Sequence, residues 1–516
     1  MARPARRRVT LRPTYRHPRA RDYLAPGGAW DIPSLDAVVS DAARSATGDL
    51  VVDDSAGVRL DGRALEAQVA ALAGGLRGAG VRRRDVVAWQ SPNWHEAVVL
   101  YRACWRLGAI AAPIHHQAGP ADVERMLGTL DAQVWLPADE LRGPSARLPK
   151  LLDAGTPVTR SAARPSDLAV VLFTSGSSGV PKAALHTQRG LAYKARAMIR
   201  AHELVPGDSI LMPAPLAHVS GLLNAVLIPG VVPMRATLMA RWRPEEAIET
   251  IEREHITFMI GPPTFFVGLM DAPGFEPRRV RSLRLISSGG AGVTPAFVEQ
   301  ATDTFGARVK RTYGSTEAPT VTTSTPQDPV QRARETDGHA TGTVELRVSD
   351  PETGQARPAG EVGELWLRGP ELFVGYADPD QTRGAIHRGW FRTGDLATVD
   401  ADGWLTIAGR MKDVIIRGGE NIAAAEVEGI LEAHPAVRQA AVVGEPDARL
   451  GERVCAFVVA TPHFDLAMCR VWFEQQGVAR FKTPERVVHL DELPLLAAGK
   501  PDRAALTELA QAFWRR

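Results

Sequence analysis

Apolar residues recur along the chain with two periods, and the alternation between them predicts its elements. Leu65, Val69, Leu72 and Leu76 fall at helical spacing and precede the unbroken apolar run 86–89, which reads as a buried strand. The same alternation predicts a helix over 94–107 before a strand at 109–114, and a helix over 121–130 before a strand at 134–136. Further strands are expected at 168–173, 209–212, 256–260 and 283–286. Strands alternating with amphipathic helices imply parallel sheets covered by helices. From about residue 340 the texture changes. Short strands at 344–348, 364–368 and 404–407 are separated by Gly, Pro and Asp turns with little helix between them, which implies a β-rich module on the α/β body. After Met411, strands near 414–416, 437–443 and 453–460 with helices near 423–432 and 465–475 form a small α+β unit. The expected organisation is a basic tail over 1–22, a large domain over 23–411 and a small domain over 412–516.

Composition narrows the classes. Hydrophobic residues make up 45% of the 516 and charged residues 23%, so a large core can form. The net charge of +2 supplies no global field for nucleic acid. The apolar stretch 215–234 is broken by His218, Ser220, Asn224 and prolines, short of the roughly 18 uninterrupted apolar residues of a membrane span. Cys104, Cys455 and Cys469 have neither metal-ligand spacing nor a disulfide framework, so a reducing, cytoplasmic compartment is expected. Eight arginines precede the first acid, Asp22. A transit peptide would be Arg-rich and acid-poor, but the prolines at 4, 13 and 18, the lack of serine and the Arg bias of the whole chain favour a poorly ordered basic tail. Of the 61 basic residues only seven are Lys: Lys150, Lys182, Lys194, Lys310, Lys412, Lys482 and Lys500. Lysine kept against such a background marks places where a compact ammonium is required.

Several loops carry chemistry. The strand at 168–173 empties into Thr174-Ser175-Gly176-Ser177-Ser178-Gly179-Val180-Pro181-Lys182. Glycines allow close approach to an anion, hydroxyls donate, and Lys182 adds positive charge, a combination suited to a triphosphate. It is not a Walker A loop, which needs Gly-Lys-Ser/Thr after a fixed gap. Tyr313-Gly314-Ser315-Thr316-Glu317 offers an aromatic face, hydroxyls and a carboxylate able to hold magnesium. Asp395 closes the turn 389–395, where a carboxylate could accept from both hydroxyls of a ribose; Arg410, Lys412 and the glycine-rich 417–419 follow, and Gly499-Lys500-Pro501 lies near the carboxyl end. Alone, each fragment is an ordinary turn or surface loop.

Together, in this order and spacing over 170–505, they resemble the acyl-adenylate-forming superfamily, which includes acyl-CoA synthetases, adenylation domains of peptide synthetases and beetle luciferases. Lys182, Lys412, Lys482 and Lys500 all stand at motif positions. The resemblance implies that Thr174, Ser175, Gly176, Ser177, Ser178, Gly179 and Lys182 hold the β- and γ-phosphates of ATP. It places Ser288, Gly289, Gly290, Ala291, Tyr313 and Gly314 around the adenine, Thr316 on the α-phosphate, Glu317 on Mg2+, and Asp395 and Arg410 on the ribose. Lys500 becomes the catalytic cation of adenylation. The small domain then swings about Lys412, exchanging Lys500 for Arg417, Gly418 and Gly419 beside coenzyme A. His218 and Gly290 border the acyl pocket.

The activity implied is an ATP-dependent acid–CoA ligase. The run 215–223 looks most like ligases for cyclohexanecarboxylate and medium-chain acids, and the apolar 218–227 and 258–266 point to a hydrophobic acid, medium-chain, alicyclic or aromatic. No aspartate lies between residues 211 and 238, where peptide-synthetase domains bind an α-amino group. Transfer to a carrier protein, a luciferase-type oxygenation and an inactive nucleotide-binding homologue remain as alternatives, and homo-oligomerisation is open. Ala183 and Ala184 stand where the family usually has glycine after the loop lysine.

Overall fold

The computed structural model describes residues 11–143, 146–174, 181–418, 420–496 and 499–514. In the first of its four sheets, Val134–Leu136, Val86–Ser91, Ile110–His115 and Leu168–Thr174 lie side by side and parallel. Lys182–Thr187 adds an antiparallel edge. Val86 to Trp89 are at most 4% exposed, as a parallel strand covered on both faces requires. Leu65, Val69, Leu72 and Leu76, on the helix Gly62–Gly78, share one core with Val87, Trp89 and Trp105.

The second sheet has nine strands. Arg308–Tyr313, Leu285–Gly289, Phe258–Gly261, Ser209–Met212, Arg235–Leu238 and Asp49–Asp53 form its parallel centre, and antiparallel strands finish both ends. The apolar stretch near 220–230 folds into short consecutive pieces, Val219–Gly221, the π-helical Leu222–Leu227 and Ile228–Val231. Such π-turns concentrate at functional sites. Among the described residues no helix is long and apolar enough to cross a membrane.

The third sheet is the β-rich module, wholly antiparallel: Glu345–Ser349, Gly363–Arg368, Trp390–Val399 and Ile386–His387, with Leu405–Arg410 on Trp390–Val399. The turn Met411–Asp413 leads to the fourth sheet, in which Val414–Arg417, Glu420–Ala423, Val437–Asp447, Gly451–Ala460 and Arg486–His489 take part. Helices Ala424–Glu432, Leu466–Gln475 and Arg503–Trp514 cover it, and Val427, Leu431, Val442 and Phe464 form a core of its own.

The amino terminus corrects one expectation. Within the segment read as a poorly ordered tail, residues 11–22 pack on the body. Leu11 joins Val86, Ile110, Leu130 and Val374 in a buried cluster. The N–H groups of Thr14 and Tyr15 both donate to the Val374 carbonyl at 2.9 Å. His17 lies against the rings of Tyr15, Tyr23 and Trp30. Arginine content described the segment's charge, whereas the apolar and aromatic residues spaced between the arginines decide its packing.

Candidate functional site

Ligands of open parallel sheets bind beyond the carboxyl ends of the strands, and there the candidate residues converge. Arg308–Tyr313 delivers Tyr313, whose phenol donates to Asp395 Oδ2 at 2.6 Å. Asp395 lies opposite Arg410 in the third sheet, and Arg410 Nε is 3.0 Å from Asp395 Oδ1. The carboxylate, buried at 4% exposure, is thus held from both sides. It retains acceptor capacity, because two of about four lone-pair positions are engaged. Burial and the Asp395 charge hold the Tyr313 phenol well above its ordinary pKa, so it acts as a donor.

Glu317 sits in a tight turn closed by the Ser315 N–H on the Ala318 carbonyl at 2.9 Å. Its Oε1 accepts from the Tyr376 phenol at 2.6 Å, and its carbonyl accepts from the Phe373 N–H at 2.8 Å. The Thr316 carbonyl is 2.8 Å from His186 Nε2. Burial pushes His186 down to about 4, so the ring is neutral and carries its proton on Nε2. Thr174 and Lys182 face each other across the paired strands Leu168–Thr174 and Lys182–Thr187. Lys182 Nζ stands 5.4 Å from the centre of the Tyr376 ring, within cation–π range.

Tyr376 thus joins Lys182, the lysine expected at the phosphates, to the carboxylate expected on magnesium. Sequence reasoning missed it. The available signal was one hydroxylated ring in the apolar run 372–376. The alanines that replace glycine are accommodated: Ala183 and Ala184 are buried, and Ala184 bridges to Tyr376.

Lys500 reaches this site from the last unit. The Gly499 carbonyl accepts from Thr264 Oγ1 at 2.6 Å, and Arg438 pairs with Asp271 at 3.2 Å. A side chain at Gly290 would place its Cβ 3.2 Å from Lys500 Cε and 3.5 Å from Nζ. Gly290 also has φ +80°, a conformation that favours glycine. Burial pushes the Lys500 ammonium down to about 8; Arg410 adds repulsion and Asp395 offsets part of it. Ser288 Oγ donates to the Gly261 carbonyl at 3.2 Å beneath the same strand ends.

His218 precedes the π-turn. Burial, then the charges of Lys500 and His116, push it down to about 4. Its ring centre is 5.2 Å from that of His115, which stacks on His116 at 4.5 Å, two neighbours the sequence reading did not single out.

Other candidates stand apart. Lys412 is exposed in the turn Met411–Asp413. Arg417 pairs with Glu485 inside its own unit, and the exposed Gly418 donates its N–H to the Leu450 carbonyl at 2.7 Å. Ser175, Gly176, Ser177, Ser178, Gly179 and Gly419 lie outside the described residues. The oxygen donor of Glu317 suits magnesium, which takes one or two carboxylates and fills its remaining positions with phosphate oxygens and water. A second acidic cluster, Asp53, His95 and Glu96, is spanned by Arg142, whose guanidinium pairs with both carboxylates. A cation of the chain itself already serves those charges.

Residues 39–377 match the family model described as AMP-binding enzyme, and residues 426–500 match the AMP-binding enzyme C-terminal domain. The medium-chain fatty-acid–CoA ligase of Escherichia coli (strain K12) is 32% identical over 529 residues, covering 96% of this chain and 93% of that protein. The indoleacetate–CoA ligase of Aromatoleum aromaticum is 32% identical over 464 residues, covering 83% and 89%. Among solved structures, ATP-bound MatB from Rhodopseudomonas palustris superposes with a TM-score of 0.83 at 27% identity, covering 93% of this chain and 99% of that one.

Proposed function

Because the chain belongs to the AMP-binding enzyme family, in its acid–CoA ligase branch, we propose that it activates a hydrophobic carboxylic acid, medium-chain, alicyclic or aromatic, at the Lys500–Asp395–Glu317 site. The observation that carries the reading is the approach of Lys500 to Gly290 at the strand ends, where Tyr313 also bonds Asp395. The stretch that follows His218 supports the acid class: Leu222 to Ile228 are apolar apart from Asn224, and all are buried in the core beside it.

In the first half-reaction a carboxylate oxygen attacks the α-phosphorus and the bond to the bridging oxygen breaks, releasing pyrophosphate. The nucleophile is already ionised at neutral pH, so no general base is needed. Lys500 stabilises the charge that grows on the phosphoryl and bridging oxygens. Asp395 accepts from the ribose hydroxyls, and Arg410 and Tyr313 hold that carboxylate in place. Glu317 and Thr316 would hold magnesium and the α-phosphate; the metal, when bound, spreads the charge of the leaving pyrophosphate. In the second half-reaction the thiol sulfur of coenzyme A attacks the acyl carbon, AMP leaves, and the thiol proton passes to solvent.

The direct test is acid-dependent ATP–pyrophosphate exchange across chain lengths and rings, with CoA added afterwards. Exchange should be strongest with hydrophobic acids and should give thioester with CoA. Exchange confined to polar or amino acids overturns the substrate class, and adenylate that CoA cannot discharge favours a carrier-protein acceptor.

A pH prediction follows from Lys500. The active form is the ammonium, and its pKa lies near 8, so that form is present below pH 8 and lost as pH rises through it. Single-turnover acyl-AMP formation at low ATP reports the free enzyme and should decline above about pH 8. The residual rate of Lys500→Arg should stay flat over that range, because a guanidinium keeps its charge. A wild-type rate that does not fall contradicts the assignment.

A further inference from the structure

We propose that the amino-terminal segment is a positioning element of the adenylation site, acting through Thr14 on Tyr376 and thereby on Glu317. The inference rests on the reading of Glu317 as the residue that holds magnesium.

Residues 372–377 form a ribbon between the strand Lys182–Thr187 and the segment 11–17. On the inner edge the Val374 N–H donates to the Leu185 carbonyl at 2.8 Å, the Leu185 N–H to that of Gly375 at 3.0 Å, and the Ala377 N–H to that of Ala183 at 2.8 Å. On the outer edge Thr14 Oγ1 donates to the Tyr376 carbonyl at 2.7 Å and lies 2.8 Å from Thr382 Oγ1. Thr382 Oγ1 in turn accepts from the Tyr376 N–H at 2.8 Å. With one proton per hydroxyl, the bonds close a ring: Tyr376 N–H to Thr382, Thr382 to Thr14, Thr14 to the Tyr376 carbonyl. Both backbone polar groups of Tyr376 are therefore held by two threonines, one of them from the far end of the chain, and such a ring is mutually reinforcing.

The fit is close. A Cβ on Gly375, where φ is +99°, would fall 2.0 Å from Thr14 Oγ1. Anchors on both sides keep Thr14 in register: Leu11 is buried beside Val374, the Tyr15 phenol donates to the Gly389 carbonyl at 2.9 Å, and Trp30 Nε1 donates to that of Pro370 at 2.9 Å. The side chain fixed in this way is the one that donates to Glu317 and lies under Lys182. Small displacements of groups that position a reacting centre carry large rate penalties.

Thr14→Val keeps the shape and removes the hydroxyl, while Thr14→Ser keeps the hydroxyl. Calorimetry of ATP binding with Mn2+, without acid, should show an affinity about tenfold weaker in Thr14→Val, the worth of one net hydrogen bond, and wild-type affinity in Thr14→Ser. The Mg2+ needed for half-maximal acyl-AMP formation should rise in Thr14→Val, while thioester formation from preformed acyl-adenylate and CoA should keep its rate. Unchanged Mn·ATP affinity, or equal losses in both half-reactions, overturns the inference. If Thr14→Val does not fold, Thr382→Val removes the other hydroxyl of the ring and carries the same test. Glu317→Gln separates the two levels. If it binds Mn·ATP as tightly as wild type, the magnesium reading fails; if it binds weakly and Thr14→Val does not, only the positioning role falls.

Discussion

Replacing Lys500 by alanine should slow acyl-AMP formation by at least about 10²–10³, the effect of removing one preorganised donor, about 3–4 kcal/mol. The amine is half-buried beside Gly290, where water screens less than at the surface. ATP is anionic before it reacts, so part of the loss will be uniform binding and will appear in the KM for ATP. The part specific to the transition state will appear in the single-turnover rate at saturating ATP. Thioester formation from preformed acyl-adenylate should persist, since that step breaks no bond of the triphosphate. The thermal midpoint should move little, because the backbone bonds beside Lys500, Leu496 N–H to the Lys500 carbonyl at 2.7 Å and Gly499 N–H to that of Leu496 at 2.8 Å, do not use the amine. A variant that adenylates at the wild-type rate would remove Lys500 from the chemistry.

The elements that were legible in the sequence are those whose own residues decide their form. Runs such as 86–89 and 210–212 are apolar throughout, and parallel strands buried on both faces need nothing more. The strand Lys182–Thr187 was not legible. Its residues, Lys-Ala-Ala-Leu-His-Thr, have weak strand preference and extend because Leu168–Thr174 on one side and the ribbon 372–377 on the other supply partners. Tyr376 was hidden for the same reason: its role is set by Glu317, 59 positions away, and by Thr14 at the amino terminus. Lysine retention marked more than the site. Lys194 is fully buried, 3.2 Å from Glu371 and bonded to Thr341 at 2.7 Å, and the buried Lys310 donates to the carbonyls of Ala201 and Ser324. A compact ammonium is required in a tight core pocket as much as beside a phosphate, so the count of lysines narrowed the candidates without separating chemistry from packing.

Lys412→Pro should divide the reaction in two. The structure places Lys500 at the strand ends while Arg417 and Gly418 face other residues of the last unit, the arrangement expected for adenylation if Lys500 is the catalytic cation proposed above. If Arg417 and Gly418 serve the thioester step, as proposed, the last unit has to turn about the connection between Leu405–Arg410 and Val414–Arg417. Lys412 is the middle residue of that connection, exposed, in the first turn of a short helical segment where proline is accommodated. Its φ would then be fixed near −65° and the rotation blocked. Pyrophosphate release in a single turnover should therefore survive, while transfer of the acyl group to CoA collapses. Met411 and Ile416, 37% and 57% exposed beside the connection, are apolar side chains that a second arrangement could cover. Burst release of pyrophosphate with no thioester, measured on one preparation, is the expected signature. An equal fall in both half-reactions means that proline has only disturbed the turn, and the swing about Lys412 then loses its support.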